Sequence, residues 1–524
     1  MSTALTSLPN EIIHYIARLT GNDVQNFRAV SKVVEASIAP VMWEMTPVIL
    51  HLNREHLGLS MSMLEEFSHA PVDKFWRLEI KSLDPSKEHN PPERVWRSND
   101  EGVLVPVPPE PEDTDDIIAA RAKLPKILPK ALSALKGLRS VKWSVARKDP
   151  DFTPQPVLES LRLLPHLTDV QIITEVDATL LPLHCLTNGS LQSLAIEQKS
   201  DPPSDYNKFI SSLVIVLTHN PHLAHLKLEM TAYGSEALPF QDLFQNIPLD
   251  TVQLRSLTLC GWSIQVTPKV QSHLQTIQSI ELPWYGDVDT SPLWKSLADS
   301  SFSIPLSRIS CNQVSSELLD LLEAQSIQGL KALAFEYAGA ETDEESDRLA
   351  QRFYNDVLHR HQDSLRELSI IPSFTGDWPV GMHNLDMFNE CKHLTKLSVG
   401  LDPEQIVPGE KNDIVASFIA RVARLPDLST IALHPVSSKS HRFARCGTGR
   451  FMAKLRILAR MQEAIEKTQI TMASRLPCHP LRILLKRYNQ TTMEFVSEAV
   501  HDENGEYGNG ASIRFRRCDE QNTG

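Results

Sequence analysis

The chain has 524 residues, 41% of them hydrophobic and 22% charged, with a formal net charge of −13 at pH 7. That length exceeds what one core can serve, so the chain must be several domains or a repeat array. The acidic balance, with a pI near 5.8, excludes a general nucleic-acid surface, which would be basic. No apolar run approaches the roughly 18 residues that a membrane-spanning helix needs, and the first residues lack the basic n-region and apolar core of a signal peptide. The expectation is an intracellular protein, cytoplasmic or nuclear, with neither nucleic acid nor membrane as partner. Its seven cysteines are scattered, odd in number and without a C-x-x-C pair, which indicates neither a disulfide framework nor a zinc site.

Residues 7–43 read as three short helices. Pro9 suits a first helical turn, where its missing N–H is not needed, and Glu11 favours the positive end of the same helix. Ile12, Ile13, Ile16 and Leu19 recur at three- and four-residue spacing on one face, and Thr20-Gly21 stops the run. Asp23 caps a second helix striped by Val24, Phe27, Val30 and Val34, and Pro40 closes the next segment before Met42 and Trp43. A unit this small buries little core alone and needs a partner or a larger body to cover it.

The order Leu8-Pro9-x-Glu11-Ile12-Ile13-x-x-Ile16-x-x-Leu19, then Phe27-Arg28-x-Val30-Ser31, then Trp43, resembles an F-box. That motif binds the Skp-type adaptor of cullin-based ubiquitin ligases. The resemblance implies that Leu8 and Pro9 open the adaptor contact, that Ile12, Ile13, Ile16, Val30 and Val34 supply its apolar surface, and that Trp43 closes it. Leu19 and Phe27 belong to the same adaptor-binding set. After the valine the family usually has a Cys, two basic residues and an aromatic, whereas this chain has Ser31-Lys32-Val33-Val34. The competing use of the same stripe is internal, with residues 1–47 capping the domain behind them.

From residue 48 the pattern changes to apolar-x-x-apolar-x-apolar. It appears first at Phe75/Leu78/Ile80, in a first repeat region over 48–83. Residues 84–116 then hold seven prolines and ten acidic residues against three basic ones. Such a stretch buries too little apolar surface to fold, and it reads as a disordered, solvated acidic loop.

Over 117–438 the pattern returns at Leu138/Val141/Trp143, Leu167/Val170/Ile172, Leu191/Leu194/Ile196, Leu223/Leu226/Leu228, Leu254/Leu257/Leu259, Ile277/Ile280/Leu282, Leu306/Ile309/Cys311, Leu330/Leu333/Phe335, Leu365/Leu368/Ile370, Leu394/Leu397/Val399 and Leu428/Ile431/Leu433. With the first that makes twelve copies, and the 290 residues from Leu138 to Leu428 hold ten steps, a mean period of 29. The alternating end of each copy suits a short strand. The stretch between copies returns as a helix, as at Phe209, Leu213, Val216 and Leu217 or at Phe353, Val357 and Leu358. One such unit cannot bury its own apolar face, so neighbours stack.

These copies resemble leucine-rich repeats. The resemblance implies an α/β fold: an irregular solenoid with parallel strands lining a concave face and helices outside, behind the three-helix F-box-like motif. In that family an Asn or Cys three residues past the strand bonds neighbouring backbones into a ladder. Here those positions include Ala146, Glu175, Thr231, Trp262 and Ser373, so the expected solenoid is loop-rich and variable outside its strands.

Residues 439–475 are basic, with Lys439, Arg442, Arg445, Arg450, Lys454, Arg456, Arg460, Lys467 and Arg475 against Glu463 and Glu466. Phe451, Leu455, Leu458 and Ile465 share a helical face there, which reads as a capping helix with a basic outer side; the competing reading is a basic patch for an acidic or phosphorylated partner. Residues 476–517 form a C-terminal cap of strands or frayed helix, and 518–524 a disordered tail.

Two patterns could carry chemistry. His219, His222 and His225 are spaced by three, but Asn220-Pro221 breaks the helix between them and no carboxylate or Cys ligand is near in sequence. Cys446-Gly-Thr-Gly-Arg450 has the wrong spacing for a cysteine phosphatase and no Walker-type Lys, and reads as a turn. Neither a G-x-S-x-G elbow nor a G-x-G-x-x-G after a strand occurs. No catalytic residue, metal or cofactor is expected. On the strand face, Thr258, Ser310, Ala334, Ser369, Ser398 and Ala432 make a smooth floor, with charge entering at Lys227, Arg308, Glu367 and Lys396 as candidate target contacts. These features together read as a substrate receptor of a Skp–cullin–F-box ubiquitin ligase that makes no bond itself. The alternatives are a repeat scaffold without a ligase and, further off, a hydrolase on a repeat scaffold with Ser, His and Asp meeting in one pocket.

Overall fold

All twelve copies of the apolar pattern become strands. The structure, a computed structural model, describes residues 13–14, 16–17, 37–38, 41, 46–69, 75–86, 96–98, 104–106, 113–147, 149–200, 203–230, 237–248, 251–283, 288–299, 304–324, 327, 329–340, 342–439, 447–472, 480–487, 490–500 and 511–518. Two units divide the chain. Unit 1 is Met1–Leu254 with Cys260–Trp262 and Thr267–Leu274; unit 2 is Arg255–Leu259 with Ser263–Val266 and Gln275–Gly524.

In unit 1, β1 (Val48–His51), α1 (Leu57–His69) and β2 (Arg77–Ser82) lead into a small antiparallel pair, β3 (Trp96–Ser98) and β4 (Leu104–Pro106). After these come α2 (Asp115–Ala134), β5 (Ser140–Val145), α3 (Pro154–Arg162), β6 (Asp169–Thr174), β7 (Ser193–Gln198), α4 (Tyr206–His219), β8 (His225–Met230), β9 (Leu238–Pro239) and α5 (Gln241–Gln245). The strands β1, β2, β5, β6, β7 and β8 pair in that order, all parallel. Their register is the sequence pattern itself. Leu78, Val141, Val170, Leu194 and Leu226 form one line, and Ile80, Trp143, Ile172, Ile196 and Leu228 the next. None is more than 3% exposed, and a fully buried side chain of this size stabilises by about 1.5–3 kcal/mol. The helix α4 buries Phe209, Leu213, Val216 and Leu217 against this core.

Unit 2 contains β10 (Ser256–Cys260, of which Cys260 is counted with unit 1), followed by the short β11 (Trp262–Ser263) and α6 (Pro268–His273, in unit 1). Its repeats run β12 (Ser279–Leu282), α7 (Ser291–Ala298), β13 (Arg308–Cys311), α8 (Ser316–Glu323), β14 (Ala332–Ala338), α9 (Asp343–Arg352), a π turn at Phe353–Val357, α10 (Leu358–His361), β15 (Glu367–Pro372), β16 (Lys396–Leu401), α11 (Ile414–Val422) and β17 (Thr430–Pro435). The strands pair in chain order, parallel, with Ile280, Ile309, Leu333, Leu368, Leu397 and Ile431 in one line. Behind them Phe335, Phe353, Tyr354, Trp378, Phe388 and Phe418 make a continuous chain of ring contacts at centroid separations of 5.2–6.3 Å.

The C-terminal region resolves into α12 (Gly447–Lys467), β18 (Gln469–Met472), β19 (Arg482–Arg487), β20 (Gln490–Val500) and β21 (Ala511–Arg517). β19 continues the array, parallel to β17 with Ile483 beside Ile431 and Leu485 beside Leu433. β20 then pairs antiparallel to β19, β21 to β20, and β18 to β21. The segment 476–517 is therefore strand, not frayed helix, at 482–487, 490–500 and 511–517.

Other expectations need correcting. The acidic segment 84–116 is not wholly without structure: β3 and β4 pair across it, since Trp96 and Leu104-Val105 suit strands. Its ends are tied down as well. Asp84 is 1% exposed and accepts from Ser86, while Arg121 pairs with Asp84 at 3.5 Å and with Asp113. Gly447–Arg450 open α12 rather than making a turn. The buried face of α12 is Ile457, Leu458, Met461, Ala464 and Ile465, whereas Phe451 is exposed. Of the F-box-like residues, Ile13 is buried and Ile16 half-buried; Leu8, Pro9, Ile12, Leu19, Phe27, Val30, Val34 and Trp43 lie outside the described residues, as do Thr231, Arg442, Arg445, Cys446, Arg475 and 519–524.

A backbone ladder does exist at the entry of the strands, and it also continues past their ends, as from Glu175 N to Val145 O (2.9 Å) and from Lys199 N to Thr174 O (2.8 Å). Arg139 O accepts from Thr168 N (2.9 Å) and Asp169 N (3.0 Å), and Lys331 O accepts from Arg366 N (2.8 Å) and Glu367 N (3.0 Å). Hydroxyls reinforce it, Thr168 to Arg139 O at 3.2 Å and Thr395 to Arg366 O at 3.0 Å. Buried side chains at the turn before the strand do the rest. Asn220 Nδ2 donates to Leu186 O (2.8 Å) and His361 Nε2 lies 2.8 Å from Leu322 O, each reaching the preceding return.

Candidate functional site

Alternation along each strand puts one set of side chains in the core and the other on the open face of the sheet. In unit 2 the first row of that face is Arg308, Ala332, Glu367, Lys396 and Thr430, and the second is Glu281, Ser310, Ala334, Ser369, Ser398, Ala432 and Leu484. Two positions further along each strand stand Glu336, His434 and Lys486. The small second-row residues leave a hollow of about 410 Å³ lined also by Arg308, Glu367, Lys396, Glu336, His434 and Lys486.

Three of the four candidate contacts come together here. Glu367 lies between two cations, with Arg308 Nη2 2.9 Å from one carboxylate oxygen and Lys396 Nζ 2.9 Å from the other. Ala332, between Arg308 and Glu367, is small enough for the guanidinium to cross over it. The Lys396 ammonium, and then Arg308, hold the Glu367 carboxyl below its ordinary range against the opposing effect of burial. Lys227 belongs to unit 1, where it pairs with Glu197 at 2.9 Å and Glu229 at 3.2 Å. Burial there works against its charge, and the two glutamates outweigh it.

The sequence reading missed the far rim. Its signal was present, because Glu336 and His434 each sit two residues past a small second-row residue. Burial lifts the Glu336 pKa, with Glu281 adding repulsion and Lys486 opposing it. His434 is 4% exposed, and its Nε2 lies 2.9 Å from Ser398 Oγ. Burial, then Lys486 and Lys454, push the His434 pKa down to about 4. A serine beside a histidine invites a hydrolytic reading, but a base this weak accepts protons poorly near neutrality. Among the described residues no carboxylate hydrogen-bonds its other nitrogen.

Elsewhere, several chemistry-bearing groups among the described residues have structural roles. His219 lies 2.8 Å from Ile215 O of its own helix. Cys260, Cys311 and Cys391 are buried thiols whose pKa burial raises, to about 12 for Cys260 and Cys391. Among the described residues no group of three His, Cys, Asp or Glu side chains could hold a metal ion, and no helix is long and apolar enough to cross a membrane.

No family model matches the chain. No curated protein matches it either. Among solved structures, the crystal structure of a TLR13–ssRNA13 complex aligns over 68% of this chain and 44% of that one, at 12% identity and a TM-score of 0.28. The chain thus spans less than half the length of that neighbour.

Proposed function

We propose that the chain is the target-selecting subunit of a cullin-type ubiquitin ligase. The open sheet face of unit 2 holds a target protein, and the F-box-like motif docks a Skp-type adaptor and through it a cullin. The observation that carries the receptor half is the hollow itself, a smooth floor rimmed by the Arg308–Glu367–Lys396 cluster on strands held in fixed register. Repeat proteins use such extended faces for binding. The tether half rests on the order of residues from Leu8 to Trp43. Catalysis is by proximity alone: holding a target beside a loaded conjugating enzyme turns a bimolecular encounter into one at high effective concentration, with no cofactor and no bond made by this chain.

A pulldown with a Skp-type adaptor tests the tether. Wild type is expected to bind, Pro9→Ala/Ile16→Asp to fail while remaining folded, and Glu367→Lys to keep the adaptor. Failure of the wild type to bind overturns the ligase half. A second reading, a scaffold without a ligase, draws support from Ile13, Ala17, Ile38 and Val41, none more than 1% exposed. Apolar side chains tucked inside the chain are what a cap requires. Under that reading the double variant loses thermal stability rather than only its partner.

A further inference from the structure

We infer that the hollow on the open face of unit 2 selects a target through an acidic segment, taking one of its carboxylate side chains onto Lys486, in the space that Arg308 and Lys396 also line. This rests on the receptor reading of that hollow and adds the chemistry of what it receives; the adaptor plays no part in it.

The charges of the lining do not balance. Arg308, Lys396 and Lys486 line the hollow with two carboxylates, Glu367 and Glu336. Glu367 is spent on its neighbours, one oxygen taken by Arg308 Nη2 and the other by Lys396 Nζ, each at 2.9 Å. Two cations sharing one carboxylate leave a positive charge over, and Lys486 adds to it. Lys486 is half-buried and has no ion-pair partner among the described residues. The carboxyl that remains to oppose it is a poor partner: burial, then Glu281 on β12, favour the protonated form of Glu336. His434 is neutral near pH 7, with its pKa pushed down by burial, then by Lys486 and Lys454. On a chain of net charge −13, this hollow therefore carries a surplus of the opposite sign.

The unit 1 face solves the same problem internally. Lys227, also half-buried on the open side of its sheet, has Glu197 at 2.9 Å and Glu229 at 3.2 Å. An ammonium partly withdrawn from water and left without such a partner is what an incoming carboxylate stabilises most. The hollow has room for one. Its volume is about 410 Å³, within the range of roughly 300–1,000 Å³ usual for ligand pockets. The small floor residues Ala334, Ser369, Ser398 and Ala432 leave the approach open, and Ser369 Oγ, uncommitted among the described residues, can donate to the second oxygen of the ligand. Glu367 holds Arg308 and Lys396 in place, so the ligand meets cations that are already ordered. A phosphate would bring about −1.5 to −2 charges next to Glu367, where a single ammonium is unpaired. A carboxylate brings one.

The test is fluorescence anisotropy on the full chain with labelled octapeptides alternating alanine with glutamate, glutamine, phosphoserine or lysine, at low salt and without adaptor. The glutamate peptide is expected to bind, and to be released as salt rises. Lys486→Gln should weaken it about threefold to tenfold, the range for a partly exposed charge pair, while Lys486→Arg should retain it. Lys411→Gln, at an exposed lysine outside the hollow, should change nothing, and melting curves verify that each variant folds. The inference is overturned if the wild type ignores the glutamate peptide, if the glutamine or phosphoserine peptide binds as tightly, or if Lys411→Gln weakens binding as much as Lys486→Gln. Ser369→Trp, which fills the floor, keeps this apart from the receptor reading. If peptides of every charge bind and Ser369→Trp releases them all, the hollow is still a receptor and only the carboxylate is wrong. If Ser369→Trp leaves the glutamate peptide bound, both readings fall.

Discussion

Replacing Asn220 by alanine tests how neighbouring repeats are held together. Asn220 is fully buried at the end of α4, its Nδ2 donating to Leu186 O and to Val216 O at 2.8 Å each, its Oδ1 accepting from Leu191 N at 3.3 Å. Val216 O retains the Asn220 backbone N–H at 3.1 Å, so the substitution orphans two groups, Leu186 O and Leu191 N. At about 1–3 kcal/mol for each buried group left unsatisfied, the expected loss is about 2–6 kcal/mol. Confined to this repeat, that is roughly a thirtyfold to twenty-thousandfold rise in local opening, at a factor of ten per 1.4 kcal/mol. Hydrogen exchange should show it at the Leu191 amide and along β7, and urea unfolding should show a lower midpoint. Asn220→Asp keeps the acceptor for Leu191 but presents oxygen to two carbonyls, and should do no better than alanine. A loss under about 0.5 kcal/mol, with Leu191 exchange unchanged, would refute the view that this side chain joins the returns.

Stability should also depend on pH through His434. Its folded pKa is lowered from 6.5 to about 4, so its contribution is full above the unfolded pKa and is lost as pH falls from 6.5 towards 4, by up to about 3 kcal/mol. His434→Asn should flatten that limb of a urea-midpoint against pH profile, and the difference between the two proteins removes the opposing effect of Glu336, whose raised pKa favours the fold on acidification. An unchanged slope would exclude the assignment. Glu367→Gln leaves Arg308 and Lys396 as adjacent unpaired cations; because all three are partly exposed, the stability loss should stay under about 1 kcal/mol, while retention of a captured target should fall sharply. Gly261→Ala should lower the melting temperature by an amount equivalent to about 1–3 kcal/mol, since Gly261 has φ +77° and a Cβ there would lie 2.6 Å from Met230 O.

The strands were legible because a parallel array repeats one burial rule: within each unit, the second apolar position of each copy sits beside that of its neighbour. β1 was missed because Val48-Ile49-Leu50 carries no copy of the full pattern, and β19 read equally as strand or frayed helix because Pro480 stands where the first apolar residue would be. The returns were harder. The helix α4 announces itself by spacing, but 3-10 turns such as Ala178–Leu180 and Leu385–Phe388 have too few residues to show a period. The ladder was sought past the strand, where leucine-rich repeats keep it, while Thr168, Thr395 and Asn220 build much of it before the strand. At the candidate site, single-strand alternation pointed to Arg308, Glu367 and Lys396, and only the register could show that they meet.

The antiparallel strands after β19 bear on how such a protein can change over time. A parallel edge is a template for one more repeat, whether from the same chain or from another molecule. Here β20 runs the opposite way along β19, and β21 and β18 come after it, so the next parallel unit has no place to seat. A further parallel repeat would therefore fit between existing ones but not directly beyond β19. The same reversal keeps separate molecules from joining into filaments through that edge.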